Sequence, residues 1–309
     1  MEGAAGFGSK HYEFVFHGSR ESDSAELNGA SPCSHLFGAE GVEHIAELLN
    51  LLISVFIRSN ATIGIEFLVF KILNILAHGS EKGVFLAGEM LIDLLEAVSD
   101  TAGEMRLRLG SLEPRTITEE FCRRAARLPN LCPHFHLSMQ SGCDGTLRRM
   151  NRKYDTARFY ESVSLLRQYF DRPAVTTDLI TGFPGETEEE FAQTLAFIEK
   201  CGFAAMHIFP YSVRPGTKAA AMPDQCTAAV KERRAARAAE TAERMKQAYL
   251  HGCVGQTYPV LFEQEKGGLY VGHAPNYCQV GVRGEDLHNA VRNVKIEAVD
   301  GDMLIGELT

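Results

Sequence analysis

Residues 176–190 read TTDLITGFPGETEEE, and their order decides the architecture of what surrounds them. The run Ala174, Val175, Thr176, Thr177, Leu179 and Ile180 is apolar and β-branched, which predicts a strand. Gly182-Phe183-Pro184-Gly185 stops it abruptly. Thr187 and Glu190 then stand at capping-box spacing, so that a hydroxyl serves one free amide while the carboxylate reaches back to another. Phe191, Leu195 and Ile198 recur at helical spacing, and Gly202 follows as the expected C-cap. The result is a strand–loop–helix unit whose loop falls at the C-terminal end of a strand, where α/β folds gather ligand contacts. Taken alone, the glycines and the proline are explained by the turn they make.

The same rhythm extends on both sides of this unit. Val84–Ala87 is a short apolar run of strand type, Leu91–Val98 reads as a helix, and Arg106–Gly110 alternates as a strand. A second capping-box spacing, Thr116 to Glu119, predicts the next helix. His134–Met139 is the following strand, with helical patterns at Leu147–Asn151 and Ala157–Tyr169, and Met206–Tyr211 is a further strand. Alternating strands and helices joined by short loops predict a parallel sheet or a (β/α) barrel, with a doubly wound sheet as the second choice. A long Ala-rich helix spans about Ala228–Leu250 and carries Lys231, Arg233, Arg234, Arg237, Arg244 and Lys246. A solvated face and a phosphate-contacting face both fit that pattern. From Gly255 onward five short strands separated by glycine turns predict a small barrel of the oligonucleotide-binding type. Tyr270, His273, Asn276 and Tyr277 cluster on one of its hairpins, where aromatic rings can stack on bases.

The first 82 residues behave differently. Residues 1–40 are rich in Gly, Ser, Ala and Glu without a sustained period, which predicts loop or disorder. Val42–Phe56 and Ile63–Ala77 follow as apolar helical stretches, the second too short and too interrupted by Glu66 and Lys71 to span a membrane. No leader of secretory type opens the chain. The expected compartment is the cytoplasm, with no membrane partner. A formal charge of -9 over 309 residues excludes a nucleic-acid binder that acts by overall charge, although not a local basic face. The eight cysteines are scattered with no short metal spacing, so no metal ligand set is predicted from spacing.

Several of these segments together resemble one family. HFHLSMQSG (134–142), LRRMNRKYD (147–155), TTDLITGFPGETEEEF (176–191), FPYSVRPGTKAAAMP (209–223) and YVGHAPNY (270–277), with the lead-in SLEPRTITEEF (111–121), are similar to the radical-SAM tRNA methylthiotransferases. The opening Cys132-Pro133-His134-Phe135-His136 resembles the subgroup that methylthiolates N6-threonylcarbamoyladenosine beside the anticodon. The resemblance covers roughly residues 83–309. It implies a partial (β/α) radical-SAM barrel over 83–250 with its linking helix, then a small all-β TRAM domain over 251–309. It implies S-adenosylmethionine (SAM) and iron–sulfur clusters as family cofactors, and the tRNA anticodon stem-loop as partner; it names no protein partner. By position, Glu113, Gln140, Ser141, Arg152, Asp178, Glu186 and Phe209 would contact SAM. Lys231, Arg234, Arg237, Tyr270, Asn276 and Tyr277 would contact RNA.

The family holds its radical-generating cluster with C-x-x-x-C-x-x-C in the first barrel unit, and that motif is missing. Cys33 is the one cysteine before Cys122, and a cluster takes three or four thiolates. The expectation is therefore a truncated or rearranged chain, with an unmatched segment at 1–82, no cluster and no catalytic residue of its own. A non-catalytic tRNA-binding remnant and a poorly folding fragment are the alternatives.

Overall fold

The computed structural model describes residues 13–16, 91–100 and 106–309. The apolar stretches within 42–77 and the run Val84–Ala87 lie outside the described residues. Strand β1 (Glu13–Phe16) is followed by a helix α1 that includes residues 91–100. Then come β2 (Arg106–Leu112), α2 (Glu119–Ala125), β3 (Leu131–Gln140), α3 (Asp144–Arg149), α4 (Thr156–Tyr169), β4 (Ala174–Thr181), α5 (Glu188–Cys201) and β5 (Ala205–Pro210). Helix α6 (Ala228–Gly252) leads to β6 (Thr257–Lys266), β7 (Leu269–His273), β8 (Gln279–Val282), β9 (Val291–Asp300) and β10 (Met303–Leu308).

The first five strands form one parallel sheet in the order β1-β2-β3-β4-β5. Strand order follows chain order without reversal, the arrangement of a (β/α) barrel wall; a doubly wound sheet would reverse at a switch point. Residues 1–40 were expected to lack structure, yet Glu13–Phe16 pairs with Arg106–Leu109 at the sheet's edge. Its four residues, EFVF, are too few to register in a periodicity reading.

Along β4 the outer positions Val175, Thr177, Leu179 and Thr181 are buried. They pack with Leu107, Leu109, Phe135 and Leu137 beneath Phe121, Phe159, Val163, Phe191 and Ile198 of the helices. The opposite face of the same strands, bearing His136, Asp178, His207 and Phe209, has no helical cover of this kind among the described residues. The physical cause is the period of two: each strand must give alternate residues to the helical core and to the concave side.

Local signals place the elements with small shifts. The capping box at α5 is as the sequence predicts, with Glu190 N–H donating to Thr187 Oγ1 at 3.2 Å and Thr187 N–H to Glu190 Oε2 at 3.1 Å. Gly202 closes the helix at φ 62°. At α2 the cap is Thr118, which accepts from Phe121 N–H, and not Thr116. Pro114 starts a short 3-10 turn that consumes Thr116 and delays the helix.

The C-terminal strands close into a barrel in the order β10-β8-β7-β6-β9. Its core, Val260, Phe262, Val280, Val282, Val294, Ile296 and Leu304, includes Leu250 and Cys253 from the end of α6. Helix α6 thus serves both units: Ala238 belongs to the sheet's core while Leu250 plugs the barrel. The boundary expected at 250/251 falls inside this helix. Among the described residues no helix is long and apolar enough to cross a membrane.

Candidate functional site: the strand ends and the concave face

The loop 182–186 is held by protein groups on every side. Gly182 and Gly185 sit at φ 70° and 74°, in the left-handed region that glycine occupies without strain. Gly182 N–H donates to Glu186 Oε2 at 2.6 Å, and Gly185 N–H to the Asp224 carbonyl at 3.0 Å. Arg149 donates to the Pro184 carbonyl at 3.2 Å and forks onto the Glu190 carboxylate. Arg234 reaches across from α6 to the Glu186 carbonyl at 3.0 Å, its carboxylate at 2.8 Å, and Glu188 at 2.9 Å.

The side chains of Arg234 and Glu186 are 3% and 1% exposed. Arg234, expected to contact RNA, and Glu186, expected to contact SAM, are thus buried against each other, and together they tie α6 to the loop. Burial pushes the Glu186 carboxyl above the usual carboxylate range, against the opposing pull of the Gly182 amide and the Arg234 guanidinium. Replacing Thr187 with Ala, which removes the cap of α5, is expected to cost about 1 kcal/mol in denaturant unfolding.

The remaining expected SAM contacts divide. Gln140 ends β3 at φ 66°, an uncommon conformation for a residue with a side chain, half-buried and set by a register shift opposite Leu179. Asp178 and Phe209 lie on the concave face of β4 and β5, Phe209 being exposed. Ser141 is turned inward, where it accepts from Cys143 N–H at 3.3 Å. Glu113, after β2, is bonded to Arg115 at 2.8 Å, and Arg152 is half-buried in the loop after α3. The face thus joins Asp178 and Phe209, with Gln140 at the end of β3, but not Ser141 or Glu186.

Midway along the face lies a group that the sequence did not announce. Asp178 and His207 are direct partners in the β4–β5 ladder, and His136 is partnered by Thr176 in the β3–β4 ladder. His136 Nδ1 is 3.0 Å from Thr176 Oγ1, and its Nε2 is 3.4 Å from Asp178 Oδ2. His136, Asp178 and His207 each present a ligand-type atom within 4.8 Å of the others. Thr176 Oγ1 also stands 3.3 Å from Nε2 of His134. Burial, reinforced by Arg108, holds the His134 imidazole down at about 3, so it is neutral at physiological pH.

At the N-terminal end of the face the small barrel docks. Arg106 donates to the His273 carbonyl at 3.0 Å and to the Pro259 carbonyl at 2.5 Å. The Arg108 guanidinium lies 3.6 Å from the centroid of Tyr277, whose ring also stacks on His273 at 4.8 Å and 16°. Tyr277, expected to stack on a base, is 41% exposed and also packs on these protein partners. Asn276, also expected to contact RNA, is 3% exposed and orders its own turn by accepting from Cys278 N–H at 3.2 Å. Tyr270 is half-buried against the barrel core.

The basic residues of α6 are largely satisfied within the protein. Arg233 and Arg237 pair with Glu188, Arg244 pairs with Glu199, and Lys246 pairs with Asp302. Lys231 is half-buried with its ammonium 4.9 Å from the Tyr211 ring.

Burial pushes Cys122 and Cys201 up to about 12, away from the thiolate form that binds iron, whereas a hydrogen bond from Cys278 pulls Cys253 below the usual thiol value. Among the described residues no three thiols converge, and the three-donor group that does is His136, Asp178 and His207.

A family model described as the Radical SAM superfamily matches residues 77–198. The threonylcarbamoyladenosine tRNA methylthiotransferase of Chlamydia pneumoniae is 37% identical over 233 residues, 74% of this chain and 55% of that protein. The enzyme of the same name from Thermotoga maritima is 34% identical over 253 residues, 79% of this chain and 57% of that protein. A tRNA-2-methylthio-N(6)-dimethylallyladenosine synthase of Corynebacterium urealyticum is 41% identical over 175 residues, 57% of this chain and 32% of that protein. The chain spans little more than half the length of the first two.

Proposed function

Because this chain belongs to the radical-SAM tRNA methylthiotransferase family, and to its threonylcarbamoyladenosine subgroup, we propose that it is the SAM-pocket and tRNA-recognition half of such an enzyme. In this reading the substrate is the modified adenosine beside the anticodon, and the compartment is the cytoplasm. Residues 83–250 act as the pocket wall and 251–309 as the RNA-binding unit. The observation that carries it is the concave face with the end of β3: Gln140, Asp178 and Phe209 offer an amide, a carboxylate and an aromatic ring above a docked five-stranded barrel. An amide and a carboxylate suit the amino-acid end of SAM, and an aromatic ring suits its adenine.

The cluster does not fit the residues present, so no radical step is assigned to them. Bound SAM in the family supplies the radical and the methyl group; here Gln140 and Asp178 would orient it and Phe209 would cover its base. Of the expected RNA contacts, Arg237, exposed on α6, and Tyr270 are retained; Lys231 adds a positive charge beside Tyr211.

The same observation favours a second reading, a tRNA binder without catalysis. Equilibrium dialysis with SAM separates the two, since only the first requires SAM to bind; anaerobic reconstitution with iron and sulfide, followed by iron analysis and an assay for 5′-deoxyadenosine, tests the assignment of no radical step. The expected result is tRNA binding in a filter assay with neither a stoichiometric cluster nor SAM cleavage. A stoichiometric cluster with SAM cleavage overturns the assignment of no radical chemistry, and absence of tRNA binding overturns the RNA-recognition reading.

A further inference from the structure

We propose that His136, Asp178 and His207 form a mononuclear site for a divalent first-row transition-metal ion on the concave face of the sheet. The three side chains come from three adjacent strands, β3, β4 and β5, and share one face of the sheet, Asp178 directly opposite His207 and His136 one step back, opposite Thr176. Two imidazoles and one carboxylate are a donor set that zinc and ferrous iron both accept, with positions left open for water or substrate.

The His136–Asp178 separation suits an ion held between them, and His207 offers its ligand atom within 4.8 Å of both. A His–Asp hydrogen bond with a charged partner closes to about 2.7–2.9 Å, whereas His136 Nε2 and Asp178 Oδ2 stand 3.4 Å apart. Two ligands on a tetrahedral ion with bonds of about 2.0–2.1 Å are separated by roughly that amount. The ring of His136 is held by Thr176 Oγ1 on its Nδ1 side, which turns Nε2 toward Asp178. Such a partner behind a ligating histidine is a regular feature of metal sites, because it fixes both ring orientation and tautomer. Thr176 is accordingly a positioning residue. His136 and Asp178 have side chains only 12% and 17% exposed, which shelters the site, while His207 is exposed and closes it from the open side.

The donors are nitrogen and oxygen, so this site is chemically separate from any thiolate-held cluster. Its test does not depend on the proposed function, because the probe is the metal ion alone.

The full 309-residue chain, stripped of metal and kept reduced, is titrated with Co2+ and then with Zn2+ as competitor. The expected result is one saturable site with the visible bands of imidazole and carboxylate coordination, bleached by Zn2+. Thr176→Val is expected to lower affinity about 10–100-fold, with Thr176→Ser restoring it. His207→Ala and Asp178→Asn should each cost more than Thr176→Val. His207 is exposed, so its removal leaves the fold intact and isolates binding from folding. Absence of saturable binding, a spectrum dominated by thiolate-to-cobalt charge transfer, or unchanged affinity in His207→Ala would each overturn the proposal.

Discussion

Replacing Arg234 with Ala is expected to lower the stability of this protein by about 3–5 kcal/mol, because it leaves a carboxylate buried without its cation. Glu186 is 1% exposed at its side chain, and Arg234 supplies both its charge partner and a bond to its carbonyl. Arg234→Lys should rescue little, since an ammonium cannot fork between Glu186 and Glu188 as the guanidinium does. The double variant Arg234→Met with Glu186→Gln should recover most of the loss, because the buried charge is gone and the amide oxygen still accepts from Gly182 N–H. Loss of the guanidinium also raises the folded-state pKa of Glu186 further. A raised carboxyl favours the folded state at low pH and loses that contribution as pH rises through the folded value. The Arg234→Ala deficit should therefore shrink as pH falls from neutral toward the ordinary glutamate value of about 4.3. Urea unfolding followed by circular dichroism at several pH values tests this, the chain having no tryptophan to report by fluorescence. An equal deficit at pH 7 and pH 5 would count against the assignment.

A second large effect is expected at Gly272. A Cβ added there would lie 1.9 Å from the Leu261 carbonyl oxygen and 2.7 Å from Phe262 Cα. These are backbone atoms of β6, which pairs with β7 at Phe262–Gly272 beside a register shift, so no side-chain rotation relieves the clash. Gly272→Ala should cost at least about 3 kcal/mol, at or beyond the top of the usual range for overpacking. The loss should fall on the small barrel: amide exchange in β6–β10 should accelerate while α4 and α5 retain their protection. Gly252→Ala is the matched control. Nothing lies within 4 Å of the added methyl and the residue is helical, so a gain of up to about 1 kcal/mol is expected. Similar behaviour of the two variants would show that the close approach is not what Gly272 provides.

The elements themselves were largely legible, because strand and helix periods are local properties of the chain. The capping box at Thr187–Glu190, the αL cap at Gly202 and the five C-terminal strands stand close to where the pattern places them. Errors arose where a neighbour outvoted the local signal. Pro114 moved the cap of α2 to Thr118, and four residues at Glu13–Phe16 became a strand through pairing with β2.

Family membership and the missing C-x-x-x-C-x-x-C were both determined by sequence alone, since each depends only on which residues occur and at what spacing. The role of a given polar side chain was not. Arg234, Asn276 and Glu186 read as ligand contacts and are buried among protein partners, and Tyr277 packs on Arg108. Whether a guanidinium meets a phosphate or a carboxylate depends on which surface its helix is packed against, and α6 is packed against the 182–186 loop. In the same way His136, Asp178 and His207 are separated by 42 and 29 positions in the chain, beyond any motif spacing. Only lateral pairing of β3, β4 and β5 brings them within reach of one another on one face, because neighbouring strands lie about 4.8 Å apart wherever their residues fall in sequence.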